Sequence, residues 1–279
     1  MKRVVLVGLG LIGGSIGLAL RKSFPRLEIV GIDSQAVIQS EKCQALLTRG
    51  IGRESLADTT SAALDADLVV LAVPVCEIER QVCNWLEARV PVTDCGSTKR
   101  TIVQAADLSP KRDWFLPGHP MAGREKGGLA SGDPDLFRSR RWIVCPQATR
   151  HEVLEVTRVL VYQLGAIWTE MTPSEHDAAV AFTSHLPQVL ASWLVANTSD
   201  SIQTAAGPAF ADMTRVAGGS EAMWNDIFLT NSEALAKALQ CVAGDLAALA
   251  RTLSGAEPDV GPLLELLARA RSRAGQRKP

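Results

Sequence analysis

The chain opens on a β-branched apolar run at 4–8, then a glycine-rich turn, then an apolar-periodic helix over 12–22. The pattern continues with a strand at 28–32 ending at Asp33, a helix over 35–49, and a strand at 68–73 stopped by Pro74. A helix over 76–88, a short strand at 91–93, a helix over 98–106 and a strand at 114–116 come next. Strands at 141–145 and 166–169 flank a helix over 152–164. Continuous apolar strands alternating with helices predict an α/β fold, a doubly wound, mostly parallel sheet covered on both faces. From residue 174 onward only the helical period remains, over 174–198, 208–217, 221–253 with a break, and 260–273. Gly207-Pro208, Gly218-Gly219, Gly255 and Pro258 punctuate those helices. The pattern therefore predicts an α/β unit over 1–170 and an all-helical unit over 171–279.

A doubly wound sheet binds ligands beyond the carboxyl ends of its strands. Gly8-Leu9-Gly10-Leu11-Ile12-Gly13 sits at such an end, and fits G-x-G-x-x-G between a strand and a helix. Gly8 permits the turn, Gly10 lets a pyrophosphate approach the backbone, and Gly13 allows close helix–strand packing. The helix start at Leu11 and Ile12 offers free N–H groups and a positive dipole end to phosphates. Asp33 lies 20 residues after Gly13, where a carboxylate accepts from adenosine ribose hydroxyls and repels a 2′-phosphate. No Arg or Lys stands between Asp33 and Glu41. The expected cofactor is NAD rather than NADP.

Composition narrows the class without changing this picture. Hydrophobic residues make up 47% and charged residues 21%, with 29 basic and 30 acidic side chains and a net charge of −1. That balance gives no reason to expect nucleic acid or an acidic membrane surface as partner. The basic tail at 269–278 has no aromatic residues for stacking on bases, and reads as a solvated terminus. No secretory signal is legible, and no stretch reads as apolar enough to span a bilayer. The six cysteines form no CxxC pair and no metal-type spacing. Reduced thiols and a cytoplasmic protein are expected.

Three further constellations carry chemistry. Asp94-Cys95-Gly96-Ser97-Thr98-Lys99 follows the fourth strand, and Gly118-His119-Pro120-Met121-Ala122-Gly123 the fifth. Ser184-His185-Leu186-Pro187-Gln188 lies early in the helical part, with Thr214-Arg215 and Trp224 beyond. With the Gly-Leu-Gly-Leu-Ile-Gly-Gly-Ser start, Val73-Pro74 and Glu175-His176-Asp177, these residues make the chain resemble the prephenate/arogenate dehydrogenase family of tyrosine biosynthesis. The resemblance implies a Rossmann domain followed by a helical domain that forms a homodimer. It also implies an NAD-dependent oxidative decarboxylation of a cyclohexadienol, giving 4-hydroxyphenylpyruvate from prephenate or tyrosine from arogenate.

The resemblance assigns roles residue by residue. His119 takes the hydroxyl proton, which suits an imidazole at working pH. Ser97 hydrogen-bonds the same hydroxyl; its alternative is to cap a helix starting at Thr98. Arg215 holds the ring carboxylate through its guanidinium fork, with a surface ion pair as the alternative. Trp224 borders the substrate from the partner subunit, or is a core or interface aromatic. Val73 and Pro74 flank the cofactor. Lys99 reads as a helix-start charge, His176 and Asp177 as helix-start residues at the domain junction, and Cys95 as a packing residue.

The sequence departs from the family pattern at Gln188, where many members carry a second histidine. Ser184 and Gln188 are four apart and share a helix face, and Pro187 between them should kink the helix and leave room for a ligand. Glutamine offers a neutral donor and a carbonyl acceptor, and an acceptor suits the ammonium of arogenate. Arogenate is therefore expected as a substrate, with prephenate also open. The competing readings are a dehydrogenase of a cyclohexadiene analogue such as 4-amino-4-deoxyprephenate, and a non-catalytic dinucleotide-binding regulator. With no room for a regulatory domain after residue 273, a stand-alone enzyme is expected.

Overall fold

The computed structural model describes residues 1–54, 61–124 and 126–275; the end of the basic tail, 276–278, lies outside them. Strands β1 (Arg3–Val7), β2 (Glu28–Asp33), β3 (Arg49–Gly52), β4 (Leu68–Leu71), β5 (Val92–Asp94) and β6 (Phe115–Leu116) form one sheet in the order β3-β2-β1-β4-β5-β6. All of its pairings are parallel. This is the doubly wound order, with its reversal between β1 and β4, where the crevice for a ligand opens.

Period-2 alternation, with a core on each face, explains why β1 is apolar from Val4 to Val7. Val4 and Leu6 enter one core with Ile16 and Leu20 of the helix Leu11–Ser23. Val5 and Val7 enter the core on the other face, with Ile78 and Val82 of the helix Val75–Leu86. Each of these side chains is at most 4% exposed, and each such burial contributes roughly 1.5–3 kcal/mol.

Three departures from the predicted elements bear on the site. The helix expected over 35–49 is two short helices, Gln35–Ile38 and Glu41–Leu46, and its end becomes the edge strand β3. β7 (Gly118–Pro120), β8 (Arg141–Val144) and β9 (Ile167–Glu170) form a separate sheet, in which β7 runs antiparallel to β8. β7 has no apolar signature because it consists of glycine, histidine and proline, yet it carries His119.

The third departure concerns the helical run Pro173–Ala196. By length and composition it passes for a membrane span, with mean hydropathy 1.2, where the sequence reading found none. It turns His176, Asp177 and His185 into the interior, while Phe182, Trp193 and Val195 remain exposed. Within it, Ala181–His185 is a π-helical turn between the helices Pro173–Val180 and Leu186–Ala196. Pro187 lacks an N–H and would crowd the carbonyl four residues back. The wider turn just before it absorbs that defect, and such turns recur at functional sites. The predicted kink is thus a π-turn two to six residues before the proline.

By their contacts the residues fall into two units, Met1–Ser232 and Glu233–Pro279. Every residue assigned a role above lies in the first. It also contains the helices Pro208–Thr214 and Glu221–Thr230. The second holds most of the helix Ser232–Leu253 and all of Gly261–Gly275.

Candidate active site

The glycine turn forms a cradle at the sheet's reversal point. Gly8 has φ of +90°, and a Cβ there would lie 2.6 Å from the carbonyl oxygen of Ala72, so the end of β4 closes on it. Val73 and Pro74 continue from that strand, and Pro74 precedes the helix Val75–Leu86. A Cβ on Gly13 would lie 1.9 Å from Gly8 O, whereas one on Gly10 would meet nothing within 4 Å. The cradle is therefore shut against the protein at Gly8 and Gly13 and open at Gly10. The helix Leu11–Ser23 begins with no side-chain cap and no acidic residue in its first turn, leaving its N–H dipoles to an external anion. Asp33 is fixed by accepting from Leu9 N (2.7 Å) and Ser34 N (2.6 Å). Each carboxylate oxygen keeps a lone pair, so Asp33 still has capacity for ribose hydroxyls. These residues fit a dinucleotide.

His119 stands at one end of a chain of hydrogen bonds. Its Nδ1 lies 2.8 Å from Nε2 of His176, whose Nδ1 lies 2.7 Å from Oδ1 of Asp177. Asp177 also accepts from the backbone N–H of Lys99 (2.7 Å) and Arg100 (2.9 Å), and is held ionised below the usual carboxylate range because these bonds and His176 outweigh its burial. Burial holds His176 neutral despite its bond to Asp177. Burial, then the neighbouring His176, Lys99 and His185, pushes His119 well below the ordinary histidine value.

The tautomers follow from these charge states. A carboxylate only accepts, so His176 Nδ1 carries the proton and its Nε2 is an acceptor. His119 must then donate from Nδ1, which leaves a lone pair on Nε2. The arrangement builds a neutral base with one open nitrogen, its conjugate cation backed by Asp177 through His176.

This corrects three readings of the sequence. The start of the helix Pro173–Val180 is held by a reciprocal Thr172–Glu175 capping box, not by His176 and Asp177. Asp177 instead caps the helix Arg100–Ala106 from across the chain. Lys99 stands at the start of the helix Arg100–Ala106 as read, but its charge is fully buried, paired with Asp94, and donates to Gly118 O at 2.7 Å. The helix expected to start at Thr98 starts at Arg100, which removes the capping role from Ser97. Ser97 is partly exposed on the turn leading to Lys99. Cys95 packs against the core as read, and burial raises its thiol.

The remaining residues line a second patch of the same unit. His185, 1% exposed, faces Trp224 edge-on with ring centres 6.0 Å apart, and its Nδ1 lies 3.3 Å from Asn231 Nδ2. Asn231 also donates to Asp177 O at 2.8 Å, linking this patch to the histidine chain. Gln188 is 6% exposed and donates to Ser192 Oγ at 3.4 Å. A Cβ on Gly219 would meet Trp224 at 2.3 Å and Gln188 Nε2 at 3.4 Å, so these three are close neighbours. Ser184 is partly buried in the π-turn. Arg215 is exposed and opens the short 3₁₀ segment Arg215–Gly218, on the chain just before Gly219. Sequence reasoning missed His176, Asp177, His185 and Asn231 as members of one network. The Glu175-His176-Asp177 and Ser184-His185 matches, with Asn231 matched beyond Trp224, were the signal for them.

Comparison with known proteins identifies the family. Residues 16–169 match the family model for the prephenate dehydrogenase nucleotide-binding domain, and residues 172–269 that for the prephenate dehydrogenase dimerization domain. Prephenate dehydrogenase of Bacillus subtilis (strain 168) is 37% identical over 242 residues, covering 82% of this chain; the chain spans 64% of that protein's length. The crystal structure of Aquifex aeolicus prephenate dehydrogenase in complex with hydroxyphenyl propionate and NAD+ superposes with a TM-score of 0.82 at 26% identity, over 99% of this chain and 98% of the other. Synechocystis arogenate dehydrogenase gives a TM-score of 0.79 at 27% identity, over 98% of this chain and 100% of the other. With both family models matched in order, this chain belongs to the prephenate dehydrogenase family.

Proposed function

We propose that the chain catalyses the NAD-dependent oxidative decarboxylation of a cyclohexadienol of the prephenate/arogenate type, a step of tyrosine biosynthesis. The observation that carries this reading is the Asp177–His176–His119 chain, which leaves a neutral base nitrogen open. Bound at the glycine cradle, NAD supplies the hydride acceptor, and the Aquifex aeolicus relative holds NAD+. His119 Nε2 takes the proton of the ring hydroxyl as hydride leaves the carbon bearing it, and Ser97 hydrogen-bonds the same hydroxyl. Arg215 receives the ring carboxylate, which departs as CO2 while the ring becomes aromatic. A lone basic nitrogen of this kind contributes roughly 10²–10⁴-fold.

For the side chain of the substrate, Gln188 is the discriminating residue. Its amide donates to Ser192 and keeps a carbonyl acceptor, which complements the ammonium of arogenate. We therefore read arogenate as accepted, with Ser184 and Trp224 lining the same end. Reduction of NAD, followed by its absorbance with each substrate offered separately, tests both levels. Silence with both substrates overturns the activity. A strong preference for prephenate that survives Gln188→His overturns the arogenate reading.

The division of labour near residue 170 and a homodimer belong to the same proposal. Trp193, Met213 and Leu229 expose 60%, 57% and 65% of their surfaces in the region matched by the dimerization model, an apolar face a second copy would cover. Light scattering on the purified protein gives the mass directly. The free thiols of Cys43, Cys76, Cys83, Cys95, Cys145 and Cys241 fit a reducing compartment, and we place the protein in the cytoplasm.

A further inference from the structure

Asp94 and Lys99 are both fully buried and form an ion pair. A buried pair is seldom more stabilising than a well-packed apolar replacement, so stability alone does not account for it. Its other contacts converge on one peptide. Gly118 donates its N–H to Asp94 Oδ1 at 2.9 Å and accepts from Lys99 Nζ at 2.7 Å through its carbonyl. A Cβ on Gly118 would lie 2.8 Å from Asp94 O, so only glycine lets the strand approach this closely. Gly118 directly precedes His119. Lys99 also donates its backbone N–H to Asp177 Oδ1 at 2.7 Å, at the far end of the histidine chain. Asp94 further accepts from Gly96 N at 2.8 Å, which fixes the turn carrying Ser97.

We propose that the Asp94–Lys99 pair is a positioning device for His119: its side chains pin the peptide before the base, on the same turn whose backbone N–H at Lys99 holds the carboxylate that orients His176. Lys99 touches no reacting atom; its ammonium sets the position of His119 against His176 through Gly118. The proposal rests on the reading of His119 as the base. It does not depend on which cyclohexadienol is the substrate.

The test compares the wild-type protein with Lys99→Met, and with Lys99→Met combined with Asp94→Asn so that no buried charge is left alone. The readouts are kcat, KM, the acid limb of the kcat/KM profile, and NAD affinity by fluorescence as the measure of an intact fold. Misplacing a catalytic group by about 1 Å costs on the order of 10²-fold, so kcat should fall by about that factor while KM and NAD affinity stay near wild type. The acid limb should also move to higher pH, because Lys99 is one of the charges that keep His119 unprotonated, with His176 and His185 on its other sides. Lys99→Gln, which keeps a donor for Gly118 without the charge, should retain part of the rate and shift the limb like Lys99→Met; it carries the test if the methionine variants do not fold. A folded variant with wild-type kcat and an unmoved limb overturns the proposal. A wild-type protein silent toward both cyclohexadienols overturns the function on which it rests instead.

Discussion

His119 shows what a single residue owes to its neighbours. Three N–H donors, from His176, Lys99 and Arg100, converge on the two oxygens of Asp177. An amide has only one acceptor oxygen, so Asp177→Asn either sets its NH2 against Arg100 N–H or, turned over, sets it against Lys99 N–H and reverses the tautomer of His176. Reversal puts the His119 proton on Nε2 and removes the base. We expect kcat to fall by roughly 10²–10⁴-fold, as for loss of a general base, with KM little changed. Equal turnover in Asp177→Asn would dismiss the chain as a catalytic device. His119→Asn should lose a comparable factor with NAD binding retained. The direction of the His119 shift also fixes the pH profile. The base must be neutral to act, and its protonation is pushed well below 6.5, so the acid limb of kcat/KM should lie below the ordinary histidine range. A limb at or above 6.5 would contradict the burial that produces the shift. The sequence named His119 because its neighbours form a recognisable run. It could not pair His119 with His176, 57 residues away, because that contact depends on how β7 meets the helix Pro173–Val180.

At the scale of elements, the glycine turn makes a prediction that separates folding from binding. Gly10 has an ordinary φ of −69° and open space where a Cβ would sit. Gly10→Ala should therefore fold normally and lose NAD affinity, because the methyl takes the room the pyrophosphate needs. Gly13→Ala puts its methyl 1.9 Å from Gly8 O and should lower Tm as well, by prising the helix Leu11–Ser23 off β1. Melting curves beside NAD titrations check the contrast, and a Gly10→Ala protein that binds NAD as tightly as wild type would show that the open face is not the pyrophosphate site. Elements were legible where their period was strong. β1, β2, β4 and the helices after 170 stand near their predicted places for that reason. β3 reads Arg-Gly-Ile-Gly and β7 Gly-His-Pro, which carry no strand signature. They are strands because neighbouring backbones offer them partners, and that information is tertiary. The π-turn was half legible: Pro187 announced a defect, but the defect is relieved upstream of the proline.

For the whole molecule, the buried histidines tie stability to pH. His185 titrates near 4, pushed down by its burial, and His176 and His119 are also depressed. In the unfolded chain each returns to about 6.5. Between those values the unfolded state binds more protons than the native one, so stability rises with pH across that window. It should be complete above about 6.5 and fall progressively as pH drops toward 4. For His185 alone the difference corresponds to about 3 kcal/mol. The two depressed aspartates add little to this window. Asp177 and Asp67 are held below 3.8 by their hydrogen bonds, so their contribution persists down to that value and is lost only beneath it. Melting temperatures should therefore be level from pH 8 to 7, drop between pH 6.5 and 4.5, and the drop should shrink in His185→Gln, which has no charge to acquire. A flat curve down to pH 4.5 would mean that protonated histidines find solvent or partners in the native state, and that the interior surrounding the base is wetter than the burial of His176 and His185 implies.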